Sequence, residues 1–201
     1  MKKPTQMNRS TRRTRTAIRA ALLQVMQEKP ISSITVQELI DIANICRTTF
    51  YAHYHDIHDL AKSIGDDVID EVGEALNQLR YESEKLEESD FPTIRSVVNV
   101  YERNAETIRL LIGPHGDPTF QRRMEDKIYQ ITKDMRKDHY KDQFDEKQHK
   151  LYSCFVISGG INLLNHLVVN DPRWDLEQAS RMLGMMAAYG ERIFIEDGFG
   201  S

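Results

Sequence analysis

The sequence predicts an all-α protein in which a small amino-terminal domain is joined by a long helix to a larger helical domain. Along most of the 201 residues, apolar side chains recur at i, i+3, i+4 and i+7, the spacing that places them on one face of a helix. No stretch alternates apolar and polar residues as a half-buried strand does, and no segment is repeated. The predicted boundary separates residues 1–55 from residues 56–201.

The amino-terminal domain is predicted to begin with a polar arm over residues 1–9, followed by an amphipathic helix over about residues 10–28. Arg12 and Arg15 lie on sides of this helix that its apolar stripe does not occupy. Pro30 ends the helix. The apolar stripe consists of Ile18, Ala21, Leu22, Val25 and Met26.

Two further short helices are predicted on either side of Asn44. Thr35 and Glu38 have the T-x-x-E spacing of a capping box, in which each side chain satisfies a backbone donor at the start of the second helix. Asparagine tolerates the left-handed conformation that a tight corner requires. The third helix is expected to begin near Cys46 and Arg47.

The third helix has an apolar side and a polar side. Phe50 and Tyr54, four residues apart, face inward. Two short helices with a tight corner between them and a polar second helix form a helix-turn-helix, which suits a DNA groove. The side chains left to meet a partner are Arg47, Thr48, Thr49, Tyr51 and His53, and the predicted core is Ile18, Leu22, Val25, Leu39, Ile40, Ile45, Phe50 and Tyr54.

The fourth helix is predicted to be long. It starts after Asp56, a suitable N-cap, and runs through Leu79 towards the acidic stretch 82–90. No linker rich in Pro or Gly precedes it, so this helix should belong to both domains. The fifth helix is predicted as one element over residues 92–111, ended by the GPHGDP segment at 113–118.

Three more helices complete the prediction. The sixth covers residues 120–135 and ends in a charged loop at 137–147, and the last two cover 146–169 and 176–195, with a turn at Asp171–Pro172. The last two are the most apolar part of the chain. Gly159 and Gly160 would let another helix approach closely, and the apolar stripe of the final helix predicts core or subunit interface: Met182, Met185, Met186, Tyr189 and Ile193.

Charge is distributed unevenly along the chain. Residues 1–54 contain nine Lys or Arg and three Asp or Glu, a net charge of +6, whereas the remainder carries −10, which together give the overall −4. A basic end attracts the phosphates of a nucleic acid and an acidic body is repelled by them. The distribution therefore favours nucleic-acid binding by the amino-terminal domain.

The sequence argues against a membrane protein and against a metal or cofactor site. No apolar run approaches the roughly 20 residues that span a bilayer. Cys46 and Cys154 form no C-x-x-C pair, so free thiols in a cytoplasmic protein are expected. His53, His55 and His58 are close in sequence but lack thiolate or carboxylate partners at metal-binding spacing. We therefore predict no metal, no cofactor and no membrane partner.

The segment ITVQELIDIANICRTTFYAHYHDIHDL, residues 34–60, resembles the DNA-binding signature of the TetR family of bacterial transcriptional regulators, whose usual form is close to ITV..IA..AGVSRGTFYYHF..K..L. In the distal half, LLIGPHGDPTFQRRM (110–124) resembles the LL...GD..F segment of one TetR subgroup, and FVISGGINLLNHL (155–167) resembles its penultimate helix. Three positions depart from the pattern. Asn44 replaces the usual glycine, and Cys46 replaces a residue that caps a helix better. Ile57 replaces a lysine that contacts a phosphate, and the loss of this contact should reduce the dependence of log binding constant on log salt concentration by about one unit.

The resemblance implies double-stranded operator DNA as a partner. Arg47, Thr48 and Thr49 would contact base edges, since arginine forks onto guanine and the threonine methyl meets the thymine methyl. Phosphates would be held by Tyr51 and His53 of the third helix and by Thr35. The backbone or minor groove would be followed by Arg12, Arg13 and Arg15.

The resemblance also implies a homodimer and a small-molecule effector of unknown identity. A dimer is expected because the third helix, which would be the recognition helix, reads too few base pairs alone. The last two helices would pair with their copies in the second subunit through Phe155, Gly159, Gly160, Met182, Met185, Met186, Tyr189 and Ile193. The effector site would lie among the middle helices. Its candidate residues, polar or aromatic groups in apolar surroundings, are Tyr101, Arg109, His115, Phe120, Asn162 and His166.

These observations predict a ligand-responsive repressor that binds a palindromic operator. One alternative is a TetR-like co-activator or interaction module that does not itself bind DNA, which the loss of lysine at Ile57 favours. A helical enzyme using His115 or His166 is the other alternative. No nucleophile elbow, phosphate loop or metal spacing supports it, and we predict that the protein is not an enzyme.

Overall fold

The computed structural model describes residues 9–78, 92–140, 145–170 and 175–195, and every regular element within these ranges is helical. The prediction of an all-α fold is confirmed. The helices are α1 (Arg9–Met26), α2 (Val36–Ala43), α3 (Arg47–Tyr51), α4 (Ile57–Gln78), α5 (Pro92–Arg103), α6 (Ala105–Ile112), α7 (Phe120–Tyr140), α8 (Glu146–Asn170) and α9 (Leu176–Ile195), with a 3-10 turn at Ile31–Ser33.

The chain forms two compact units. Unit 1 contains the described residues up to Asp66 together with Leu110–Pro118, and unit 2 contains Asp67–Arg109 and the described residues from Thr119 onwards. α4 is continuous through the division between Asp66 and Asp67. The GPHGDP loop, which the sequence assigns to the larger domain, thus belongs to the smaller unit.

The core of unit 1 is built by α1, α2, α3 and the start of α4. Of the eight core residues predicted there, Ile45 is half-buried and the other seven are buried. Burial of each large aliphatic or aromatic side chain contributes about 1.5–3 kcal/mol, so this short helical unit depends on a few complete burials. Fully buried side chains include Ile18, Leu22, Leu39, Phe50 and Leu60.

The GPHGDP loop is held in unit 1 by backbone hydrogen bonds. The amide of Ile31 donates to the carbonyl of His115 at 3.0 Å, and the amide of Asp117 donates to the carbonyl of Leu111 at 2.9 Å. His115 Nδ1 also lies 3.3 Å from the carbonyl oxygen of Met26. His115 is therefore engaged with the end of α1.

Unit 2 is a bundle in which α5 packs against α8 and α9, and α8 packs against α7 and α9. Its core is aliphatic with a few aromatic rings, and it also buries His149, which stacks on Tyr129 at 5.3 Å between ring centroids. The central buried residues are Val72, Val98, Tyr101, Ile108, Phe120, Met124, Ile161, Leu164 and Leu167.

The predicted fifth helix is divided in the structure at Asn104. The Asn104 Nδ2 donates to the carbonyl of Val100 and to Glu71 Oε2, both at 3.0 Å. A side-chain amide that bonds a backbone carbonyl one turn back competes with the helical ladder. The partner Glu71 lies 33 residues away in sequence, so the spacing of apolar residues in 92–111 does not reveal the division.

The ends of the later helices also differ from the prediction. α7 continues through Tyr140, where a charged loop was expected from residue 137, because charge alone does not end a helix and neither Pro nor Gly interrupts residues 137–140. Asp145 caps α8, with its Oδ1 accepting from the Lys147 amide at 2.7 Å, and Asp175 caps α9 in the same way. The turn predicted at Asp171–Pro172, the acidic stretch 82–90 and most of the amino-terminal arm lie outside the described residues.

Candidate nucleic-acid interface and effector cavity

α2 begins with the predicted capping box. The amide of Glu38 donates to Thr35 Oγ1 at 3.3 Å, and the amide of Thr35 donates to Glu38 Oε2 at 2.9 Å. Lys29 forms an ion pair with the same carboxylate. The hydrogen bond from Lys29, followed by the one from the Thr35 backbone, lowers the pKa of Glu38 to about 2. The capping carboxylate therefore stays ionised at neutral pH.

The corner between α2 and α3 is formed by Asn44. Its φ of 51° and ψ of 54° place it in the left-handed region, and among the described residues it is the only non-glycine with positive φ. Asparagine tolerates this conformation better than most residues because its short polar side chain bonds locally. The amide of Ile45 then donates to the carbonyl of Ile40 at 3.0 Å, so the corner predicted from the sequence is confirmed.

α3 separates a buried side from an exposed side. Phe50 is fully buried and packs edge-on against Tyr51 and obliquely against Tyr54. On the opposite side, the predicted DNA-facing residues divide by exposure: Arg47, Thr48 and Tyr51 are exposed, whereas Thr49 and His53 are half-buried. Phe50 therefore fixes the rotation of the helix, and that rotation presents a basic and hydroxyl-bearing surface.

The arginines of α1 differ in their surroundings. Arg12 and Arg13 are exposed, and Arg15 is half-buried with its Nε 3.4 Å from the hydroxyl oxygen of Tyr54. Arg15 thus connects α1 to Tyr54, three residues beyond the end of α3. Arg12 and Arg13 are therefore open to solvent, whereas Arg15 contacts the core of the unit.

Ile57 opens α4 and is only 7% exposed. The TetR pattern has lysine at this position, whose long side chain can carry its charge to the surface. Isoleucine instead adds its apolar side chain to the core of unit 1. N-capping of this helix by Asp56 is confirmed, since Asp56 Oδ1 accepts from the Asp59 amide at 2.8 Å.

Cys46 precedes α3 and makes no side-chain hydrogen bond to a helix amide, as expected for a weak N-cap. Its Sγ lies 3.1 Å from Thr48 Oγ1 and 2.9 Å from Thr49 Oγ1. These two hydroxyls, that of Thr48 first, stabilise the thiolate and lower the pKa of Cys46 to about 7. The thiol is exposed.

We expect Cys46 to be alkylated by iodoacetamide with a rate that rises through a midpoint near pH 7. About half of the thiol is ionised there, against on the order of one per cent for a thiol with the ordinary pKa of 9.0. Peptide mass spectrometry at a series of pH values measures the rate at Cys46 itself. Replacing both hydroxyls in a Thr48→Val, Thr49→Val variant should raise the midpoint, and an unchanged midpoint would refute the role of the threonines.

Unit 2 contains a cavity of about 140 Å³. Its walls come from α4, α5, α7, α8 and α9 and are mainly aliphatic. Five polar side chains, those of Tyr101, Thr132, Arg136, Tyr152 and Ser153, also line it. The guanidinium carbon of Arg136 lies 4.9 Å from the centroid of the Tyr152 ring. An apolar cavity with a few polar groups is the usual form of a small-molecule site.

Of the six effector-site residues chosen from the sequence, Tyr101 lines this cavity and the other five lie elsewhere. Phe120 is buried in the core of unit 2, and His115 belongs to unit 1. Three are exposed: Arg109, Asn162 and His166. A polar residue in an apolar run can face either solvent or the interior, and the rotation of the helix decides between the two. Arg136, which the sequence choice did not include, lines the cavity, and Ile128, Thr132 and Arg136 recur four residues apart on α7 and so share one face.

An exposed apolar surface, which we call the α8–α9 face, lies in unit 2. Phe155 is 74% exposed and Leu151 is 69% exposed, and the three methionines predicted at an interface are exposed too: Met182, Met185 and Met186. A Cβ at Gly159 would meet no atom within 4 Å, whereas one at Gly160 would lie 3.7 Å from Leu183 of the same chain. Gly160 therefore packs within unit 2. The side chains of Tyr189 and Ile193 lie outside the described residues.

None of the helices in the described parts of the chain is long and apolar enough to cross a membrane. No group of three His, Cys, Asp or Glu side chains comes together there as the ligands of a metal ion would.

Solved structures of similar fold cover nearly the whole chain. The TetR transcriptional regulator from Streptococcus agalactiae 2603V is 24% identical, with a TM-score of 0.60 over 89% of this chain and 96% of that chain. The dihydroxyacetone kinase operon activator DhaS is 14% identical, with a TM-score of 0.61 over 90% and 98%. Thermus thermophilus FadR, a TetR family repressor in complex with lauroyl-CoA, is 17% identical, with a TM-score of 0.52 over 88% and 94%.

At these identities the structures establish a shared fold, and the sequence itself establishes the family. Residues 89–189 match the TetR family model described as a transcriptional regulator C-terminal region. This match covers half of the chain and includes the cavity-lining parts of α5, α7, α8 and α9. Together with a helix-turn-helix on α2 and α3, it identifies a regulator rather than an enzyme: the chain belongs to the TetR family of transcriptional regulators.

Proposed function

We propose that this protein is a homodimeric, ligand-responsive repressor that binds a palindromic operator through α3 in the cytoplasm. The observation that carries the proposal is the exposure of Arg47, Thr48 and Tyr51 on a helix whose rotation is fixed by buried Phe50. An exposed helix of this kind, after a tight corner, is suited to the major groove.

The proposed DNA contacts divide into base readout and phosphate contacts. Arg47, with Thr48 and Thr49, contacts base edges, because a guanidinium can donate two hydrogen bonds to guanine. Phosphates are held by Tyr51, His53 and Thr35, and by the arginines of α1: Arg12, Arg13 and Arg15. The net charge of +6 over residues 1–54 supports this division.

The proposed dimer forms through the α8–α9 face. Large apolar side chains that stay exposed together on a single chain usually mark an interface, and Phe155 and Leu151 are more than two-thirds exposed. A twofold dimer also places two recognition helices on the two halves of a palindrome. The effector would bind in unit 2, tilt α4 and change the spacing of those helices, which requires only a few kcal/mol of coupling.

Replacing Arg47 with alanine should reduce operator affinity by at least about 30-fold, because one bidentate base contact is worth roughly 1–3 kcal/mol and the dimer would lose two of them. Genomic fragments retained by the full-length protein would first provide the operator. Fluorescence anisotropy at fixed salt would then measure the loss for Arg47→Ala and, separately, for Thr49→Ala.

Arg122→Ala is the matched control, since Arg122 is an exposed arginine on α7 of unit 2. Equal affinities for wild type, Arg47→Ala and Thr49→Ala would contradict the assignment of α3. A loss in Arg122→Ala as large as that in Arg47→Ala would indicate a general charge effect rather than base contact.

A co-activator that does not bind DNA is the second candidate function, and buried Ile57 in place of the phosphate-binding lysine favours it. Among the similar structures, DhaS is an operon activator and FadR is a repressor, so this fold occurs both in activators and in repressors. Failure to retain any genomic fragment, together with stable capture of a defined regulatory protein, would support this candidate and overturn the repressor proposal.

A further inference from the structure

The cavity of unit 2 has aliphatic side chains on every helix that contributes to its walls. Transfer of a hydrocarbon group from water to such surroundings is favourable and scales with the apolar area removed from water. The walls therefore select for an apolar molecule. The aliphatic side chains are those of Leu76 on α4, Ile94 and Val97 on α5, Ile128 on α7, Val156, Ile157, Ile161 and Leu164 on α8, and Leu183 on α9.

The volume of this cavity, about 140 Å³, exceeds that of an ordinary gap in packing. Protein interiors contain few voids larger than a water molecule, because atoms that line a void lose contacts on one side and the fold loses stability. A ligand that fills the cavity restores those contacts. An apolar cavity of about 150 Å³ accepts benzene, so the volume suits about six to eight non-hydrogen atoms.

Three hydroxyl groups that line the cavity already have hydrogen-bond partners within unit 2. The Tyr152 hydroxyl donates to the carbonyl of Ala187, and Thr132 Oγ1 donates to the carbonyl of Tyr129 at 3.2 Å. Ser153 Oγ lies 3.3 Å from a buried histidine ring. Water or a polar ligand needs several polar partners to occupy a cavity, and here it would compete with these existing bonds. The cavity therefore favours an apolar occupant over a polar one.

The ionisable groups of the lining disfavour a charged ligand. Arg136 lies with its guanidinium carbon 4.9 Å from the centroid of the Tyr152 ring, and it makes a further interaction within the chain. Burial, with a smaller effect from the charge of Glu125, raises the pKa of Tyr101, so this side chain stays neutral. An anion would have to compete with the partners that Arg136 already has, and a cation would be repelled by the guanidinium. Either ion would also lose its hydration.

We propose that this cavity binds a neutral, apolar molecule of about six to eight non-hydrogen atoms, the size of benzene or toluene. The inference rests on the proposed function, in which unit 2 holds the effector site, and it specifies the chemical class of that effector. The aliphatic walls determine its polarity and the volume determines its size. The partners already held by the polar groups of the lining exclude an effector recognised through its charge.

Isothermal titration of the full-length protein with toluene, phenol, sodium butanoate and butylammonium chloride tests the proposal. Toluene should bind with a dissociation constant below about 1 mM, because nearly its whole apolar surface leaves water. Phenol has the same number of non-hydrogen atoms and should bind at least about fivefold more weakly, since its hydroxyl loses hydration. The two ions should not bind at about 10 mM. Absence of toluene binding, or tighter binding of phenol or of either ion, would overturn the assignment.

Val97→Phe places a larger side chain in the wall of the cavity, and we expect toluene affinity to fall by at least about tenfold because less volume remains. Ile42→Phe is the control, since Ile42 lies on α2 of unit 1 and is 44% exposed. Equal toluene affinities in the two variants would overturn the location of the site. Should Val97→Phe fail to fold, a wild-type crystal under xenon pressure decides the location, because xenon enters apolar cavities. Xenon bound only elsewhere would overturn it.

Operator affinity measured in the same samples separates this proposal from the function on which it rests. Operator binding by a protein that does not bind toluene would overturn the ligand class and leave the DNA-binding function standing. Toluene binding by a protein that retains no DNA would uphold the ligand class and overturn the repressor function.

Discussion

Replacing Phe155 with glutamate is expected to convert the protein from dimer to monomer and to lower operator affinity by at least about 100-fold. Phe155 is 74% exposed on a single chain, and in a twofold interface the substitution enters twice. Each copy would lose the roughly 1.5–3 kcal/mol of burying a large apolar side chain, and each new carboxylate would resist desolvation. A monomer would bind a single half-site of the operator. Analytical ultracentrifugation and fluorescence anisotropy measure the two effects.

The matched control is Gln130→Glu, which introduces the same charge at an exposed position of α7. It should leave both the assembly and the operator affinity unchanged. A Phe155→Glu variant that remains dimeric, with helical circular dichroism like that of wild type, would refute the assignment of the α8–α9 face. Loss of the dimer without loss of operator affinity would refute the need for two recognition helices.

Replacing Gly116 with alanine is expected to destabilise the protein by about 3 kcal/mol, the upper end of the usual cost of overpacking, because backbone atoms must move. A Cβ at this position would lie 2.0 Å from the carbonyl oxygen of Leu111 and 2.4 Å from that of Leu110. Both are backbone atoms, so the loop itself must move. That movement would disturb the hydrogen bonds from Asp117 to Leu111 and from Ile31 to His115.

Thermal unfolding followed by circular dichroism measures this effect, and a decrease in Tm on the order of 10 °C is expected for a chain of this length. Gly160→Ala is the control, because its Cβ would lie 3.7 Å from Leu183 at ordinary contact distance, and alanine favours the helix. Its Tm should be unchanged or slightly higher. A Gly116→Ala variant as stable as Gly160→Ala would show that the loop relaxes without cost.

The sequence alone determined those features that depend on residues close together in the chain. The capping box at Thr35 and Glu38 and the left-handed corner at Asn44 were predicted because each needs only a few consecutive residues. The inward rotation of Phe50 follows from helical periodicity in the same way. The family resemblance of the helix-turn-helix depended on these same local signals.

Only the tertiary structure decided the features that depend on distant partners. Asn104 divides the fifth helix with the help of Glu71, and the loop containing Gly116 belongs to unit 1 through Ile31. Arg136 on α7 lines the cavity, whereas Arg109 on α6 is exposed, because the rotation of each helix against its neighbours determines which of its polar residues face inward. Helical periodicity shows that a face is apolar, but the element that covers this face is specified by the packing of the whole chain.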